Sequence, residues 1–117
     1  MKRQEEAICL RIFIGETDRY GGKPLYLYLL EAFKKADLAG ATVTRGIAGF
    51  GKNSRIQTSS ILQLSTDLPI MIEVVDRKEK IDAIKPIIDQ SVKEGLVTEE
   101  PVTIYLYGST LDKIDKA

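Results

Sequence analysis

Histidine and tryptophan are absent from the 117 residues, and cysteine occurs once, at position 9. Without histidine, no Ser-His-Asp or Cys-His nucleophile system can be assembled and no His-ligated zinc site can form. A single cysteine excludes a disulfide within the chain, which fits a reducing compartment without proving one. Charge of one sign is missing as well. The 17 Lys and Arg balance 17 Asp and Glu, so nothing in the net charge draws the chain to nucleic acid or an anionic lipid surface. Long hydrophobic runs are lacking too. The longest early apolar stretch, Ala7 to Ile14, is broken by Arg11 and is far short of the ~20 residues that span a bilayer. It follows Lys2, Arg3, Glu5 and Glu6, with no small-residue cleavage pattern behind it. The expectation is a cytoplasmic protein without membrane insertion.

What is present is 44% hydrophobic and 29% charged, enough for a packed core and a soluble surface. The length fits one domain, residues 1–117, and no repeat or low-complexity tract divides it. Residues 7–15 are β-branched and aromatic and read as a strand closed by Gly15. A polar loop, ETDRYGGK, leads to Pro24 as a first helical residue. Leu25, Leu29, Ala32 and Ala36 then recur at helical spacing until Gly40 stops the helix, which is predicted over 24–38. A second strand is expected over 41–47, then a long flexible loop at about 46–60. Ile61, Leu62 and Leu64 resume strand character before a clear strand over 70–76. Asp76 and Glu79 have the spacing of a capping box, and Ile81, Ile84, Ile88 and Val92 mark the buried face of a second helix. Pro86 should kink or split that helix at a cost of ~3 kcal/mol, and Gly95 should end it. Glu99 and Glu100 read as a turn before Pro101, residues 102–107 as the last strand, and the tail 108–117 as frayed or loosely docked.

The order β-α-β-loop-β-α-β is the split βαβ, or ferredoxin-like, α+β pattern: an antiparallel four-stranded sheet with both helices on one face. Ile8, Leu10, Ile12 and Ile14 alternate with Ala7, Cys9, Arg11 and Phe13, while Ile70, Ile72 and Val74 oppose Met71, Glu73 and Val75. The second face is thus apolar apart from Arg11 and Glu73, which are placed to pair across neighbouring strands. Either an oligomer buries it, or it is an ordinary half-wet sheet face.

The loop RGIAGFGKNSR has glycines at 46, 49 and 51 and cations at Arg45, Lys52 and Arg55. Glycines let backbone N–H groups turn toward an anion and cations neutralise it. The spacing matches neither a Walker A loop nor a dinucleotide fingerprint, so anion binding and a plain flexible hairpin both stand. Arg19 and Lys23, beside the helix start, form a second candidate; the competing reading is a strand-to-helix turn with Glu16 and Asp18 answering those cations. No carboxylate pair stands at a spacing that implies acid–base work. Cys9 reads as a small buried hydrophobe, Tyr26 and Tyr28 as packing residues, and no basic stripe interleaved with aromatics points to nucleic acid.

The strings LRIFIGETDRYGGKPLY, GATVTRGIAGFGKNSRI and LSTDLPIMIEVVD, with the KID of helix two, resemble an uncharacterised PII-like family of small bacterial and archaeal proteins related to the PII signal-transduction proteins. Gly49, Phe50, Gly51 and Lys52 are similar to the Gly-Phe-Gly-basic motif of the PII T-loop. The resemblance implies a homotrimer with inward-facing sheets that binds an adenine nucleotide between subunits near Arg45, Gly46, Gly49, Phe50, Gly51, Lys52 and Arg55. It also implies control of a partner, such as a transporter or enzyme, by the loop, with no catalysis and no cofactor beyond the effector nucleotide. The PII phosphate-gripping loop after helix two is not matched, since KEGLVTEEPVTIY is acidic, and the segment 46–60 has no tyrosine to accept a nucleotidyl group. Two alternatives share the setting: a metal-responsive trimer resembling CutA, which lacks imidazole ligands here, and a small nucleotide hydrolase, for which no base or nucleophile is designated.

Overall fold

A computed structural model of the chain describes residues 2–51, 56–58 and 67–108. Its elements are β1 (Lys2–Gly15), β2 (Arg19–Tyr20), β3 (Lys23–Pro24), α1 (Leu25–Lys35), β4 (Ala41–Arg45), β5 (Ala48–Gly49), β6 (Gln57–Thr58), β7 (Pro69–Asp76), α2 (Lys78–Ser91) and β8 (Leu96–Tyr107). The main sheet has the order β4-β7-β1-β8 with every neighbouring pair antiparallel. This is the ferredoxin-like arrangement. Alternation along β1 and β7 builds its core: Leu10 lies opposite Val74, Ile12 opposite Ile72 and Ile14 opposite Ile70, all buried. Leu25, Leu29 and Phe33 of α1, four residues apart, and Ile81, Ile84 and Ile88 of α2 close over them. Tyr26 and Tyr28 pack at the margin of the same core.

The other face of the sheet carries the ion pair expected from the alternation. Arg11 Nε donates to Glu73 Oε2 at 2.8 Å, and its Nη1 donates to Glu100 Oε1 at 2.6 Å. Hydrogen bonds to Glu100 and Glu73 hold the guanidinium above its ordinary value. Beside this pair Cys9 is buried, and burial pushes its thiol above the ordinary thiol range. Phe13, Met71 and Val75 are half-buried there.

Several boundaries differ from expectation, each for a local reason. The strand expected over 7–15 begins at Lys2, because residues 2, 3 and 5–7 pair with β8 beyond the end of β7, the ladder skipping Gln4 at its positive φ of 49°. The first loop contains a two-residue hairpin, with Gly21 and Gly22 at φ of 61° and 80° as a primed turn requires. It draws Pro24 into β3, so α1 starts at Leu25. At its far end α1 stops at Lys35, five residues before Gly40. Asp37 takes the left-handed conformation (φ 65°), its N–H donates to Lys34 O, and Leu38 N–H donates to Phe33 O. This is a Schellman closure with aspartate in the usual glycine place.

Asp76 does not cap α2. Arg77 is the N-cap residue, and the buried Asp76 carboxylate accepts from Arg77 N at 2.7 Å and Ala39 N at 2.9 Å, tying the exit of α1 to the start of α2. Pro86 does not split α2, which runs unbroken through it; the proline sits on the exposed face, where the Asp82 carbonyl that loses its helix donor is open to solvation. The helix ends at Ser91, before Gly95. Glu99 and Glu100 are not in a turn but in β8, whose twelve residues extend the strand expected over 102–107. β8 is an edge strand, where proline and charge are tolerated. Strand two ends at Arg45 rather than 47, and the loop after it contains the short β5–β6 ladder. The extended segment expected at Ile61, Leu62 and Leu64, and the tail beyond Gly108, lie outside the described residues.

Candidate functional site

The long β4–β7 connection leaves the sheet where three segments meet: Arg45 at the end of β4, Pro69 at the start of β7 and the turn after β1. Gly46 N–H donates to Pro69 O at 2.7 Å. A Cβ on Gly46 or Gly49 would lie 2.8 or 3.0 Å from Pro69 Cγ. These two glycines therefore admit the proline ring, and neither has the positive φ of a nest glycine. The turn is held to the returning limb by Glu16 N–H to Leu68 O (2.8 Å) and Thr17 N–H to Asp67 Oδ1 (2.9 Å), while Gly15 N–H donates to Asp18 Oδ2 (3.0 Å). Asp67 N–H donates to Gln57 Oε1 at 3.0 Å, fastening β6 to the same collar. Across it, Arg45 Nη1 contacts Glu16 Oε2 at 2.9 Å.

The structure thus gathers Arg45, Gly46 and Gly49 at the loop base. Phe50 and Gly51 extend away from it: Phe50 is 70% exposed and Gly51 has open space around it. Lys52 and Arg55 lie outside the described residues. Extending the β5–β6 register places Phe50 opposite Ile56, itself 66% exposed, so the ladder presents an apolar pair to solvent. Sequence spacing did not reveal Glu16, Asp67 or Gln57, because each meets its partner across ten to fifty residues of chain.

The second candidate resolves into a structural turn. Arg19 Nη2 donates to Gly22 O at 2.9 Å and Lys23 pairs with Glu31 at 2.6 Å, so neither cation is answered by Asp18 or Glu16. All three backbone N–H groups of Gly15, Glu16 and Thr17 are already taken by protein acceptors, leaving no empty nest there.

A cleft of about 890 Å³ lies at the opposite end of the sheet, between the α1–β4 connection and the end of β8. Tyr107 OH donates across it to Ala39 O at 2.9 Å, and its cations are matched, Arg77 with Glu5 and Lys80 with Asp37. Among the described residues no group of three His, Cys, Asp or Glu gathers as a metal site, and no helix is long and apolar enough to cross a membrane.

Residues 7–104 match the model of a family described as "Uncharacterized ACR", DUF190. The chain belongs to the DUF190 family. A UPF0166 protein of Aquifex aeolicus is 45% identical to this DUF190 chain over 98 residues, covering 83% of it and 92% of the relative. A second, from Methanocaldococcus jannaschii, is 32% identical over 101 residues, covering 86% and 93%. Among solved structures, a PII-like signalling protein from Thermus thermophilus superposes with a TM-score of 0.63 at 17% identity over 89% of this chain and 94% of that one. CPII from Thiomonas intermedia, a nitrogen regulatory PII-like protein bound to ADP, AMP and bicarbonate, superposes at 0.61 with 15% identity over 89% and 92%. CutA from Synechococcus elongatus gives 0.52 at 12% identity over 97% and 88%. At these identities the likeness is of fold alone: this DUF190 chain shares its ferredoxin-like fold with those PII-like proteins and with CutA.

Proposed function

We propose that the protein is a non-enzymatic PII-like regulator acting in the cytoplasm as a homotrimer. In this reading it takes an adenine nucleotide in clefts between subunits near the loop base and controls a partner, such as a transporter or an enzyme, through the loop. Arg45, Gly46, Gly49, Phe50, Gly51, Lys52 and Arg55 form its share of the site. The observation that carries the reading is Arg45. It ends β4 half-exposed, with its guanidinium already on an oxyanion, at the loop base of a fold in which CPII holds ADP and AMP. The apolar second sheet face, with Phe13, Met71 and Val75, supports assembly.

Calorimetric titration with AMP, ADP, ATP and cyclic nucleotides tests the proposal. Saturable binding by at least one is expected, and Arg45→Ala or Lys52→Ala should weaken it about tenfold or more, the worth of a charge-assisted contact. No binding at millimolar concentration by any of them overturns it. The likeness to CutA favours a second reading, a metal-responsive trimer. A chain without histidine leaves that reading carboxylate sites for hard cations, and the same titration with Mg²⁺, Ca²⁺ and Mn²⁺ separates the two.

A further inference from the structure

We infer that Glu16 is a built-in competitor for the anion site at Arg45, so that a ligand phosphate must displace its carboxylate. The inference rests on the nucleotide-binding reading and adds to it a residue that sets affinity. Three observations support it.

First, the contact is a single one. Arg45 Nη1 meets Glu16 Oε2 at 2.9 Å, and among the described residues no other acceptor engages this guanidinium, which is 58% exposed. A guanidinium can offer a planar fork of donors to a carboxylate or phosphate. Second, the backbone that carries the carboxylate is held in place: Glu16 N–H is fixed on Leu68 O at 2.8 Å, and its neighbour Thr17 on Asp67 at 2.9 Å. The Cα of Glu16 is therefore fixed near Arg45, and pairing costs only the rotamer freedom of the side chain. Third, no other element needs the pair. Gly46 N–H to Pro69 O, Asp67 N–H to Gln57 and the β5–β6 ladder already close the loop base without it.

Glu16 also joins two limbs of the connection. Its side chain holds the outgoing limb through Arg45, and its backbone holds the returning limb through Leu68. A phosphate that takes Arg45 breaks the first link and leaves the second, so occupancy of the site and the Glu16–Arg45 pair become mutually exclusive.

The test is calorimetric titration of Glu16→Gln with ADP and with inorganic pyrophosphate, beside the unaltered chain, Arg45→Ala and the double variant. Glu16→Gln should bind ADP about two- to fivefold more tightly, the range expected when a part-exposed ion pair no longer opposes binding. In the Arg45→Ala background the same substitution should change nothing, because Glu16 acts only through Arg45. Loss of a merely structural contact would weaken binding, so the direction of the change decides. ADP binding by the unaltered chain with equal or weaker binding by Glu16→Gln overturns this inference and leaves the nucleotide reading intact. ADP binding by neither chain overturns both. A tightening that persists in the Arg45→Ala background also overturns the inference, since Glu16 would then act on the ligand directly.

Discussion

Gly95 shows how one missing side chain sets a boundary. A Cβ there would lie 2.7 Å from the backbone oxygen of Phe13 and 3.2 Å from side-chain carbons of Ile14 and Val92. The closest of these is main chain in the central strand and cannot yield cheaply. Gly95→Ala should therefore cost about 1–3 kcal/mol, as overpacking does elsewhere, read as a lower urea midpoint. Gly40 is the internal control: no atom lies within 4 Å of its would-be Cβ, so Gly40→Ala should leave the midpoint unchanged or slightly raised. An equal response at the two positions would disprove the steric account.

At the scale of elements, the end of α1 offers a gain. Asp37 holds a left-handed φ of 65° that glycine adopts without penalty, and its side chain is almost fully exposed. Asp37→Gly should raise stability by up to ~1 kcal/mol, measured as a higher urea midpoint; a lower one would show that the carboxylate near Lys80 matters more than the backbone. The same element shows what the sequence made legible. The apolar period of Leu25, Leu29 and Ala32 announces the helix, since burial of one face is a local pattern, although Phe33 is the third core residue and Ala36 lies exposed past the end; the stop depends on which residue accepts the left-handed turn. Alternation in β1 and β7 likewise revealed both sheet faces and the Arg11–Glu73 pair, because opposite charges on one face of adjacent strands have few other partners. The first half of β8 was hidden because Glu99-Glu100-Pro101 has turn chemistry, and only its place at the sheet edge makes those residues acceptable in a strand. At the loop base, the glycines left both an anion cradle and a plain hairpin open; the packing they permit is that of the Pro69 ring, 23 residues beyond Gly46 and 20 beyond Gly49. Glycine spacing carries no record of a neighbour so distant in sequence.

At the scale of the whole molecule, the long axis measures 55 Å against 29 and 25 Å for the others. A fourteen-residue strand such as β1 spans about 45 Å by itself, which accounts for most of that length. Its first residues, 2, 3 and 5–7, pair with β8 alone, and a two-stranded ribbon is at best marginally stable in water. In the proposed trimer, a neighbouring copy would cover both the ribbon and the apolar sheet face. Light scattering should therefore give three times the chain mass of 13.0 kDa, and Met71→Glu on that face should reduce it to one. A monomeric mass for the unaltered chain would remove the trimer. The ribbon has a further consequence for anyone handling the protein. Lys2 pairs with Tyr107, so the start of β1 and the end of β8 lie side by side, at the other end of β1 from the register that Arg45 shares with Ile70 and Ile14. A dye joined at residue 2 or at residue 107 therefore reports from the same place, at the end of the sheet away from the loop base.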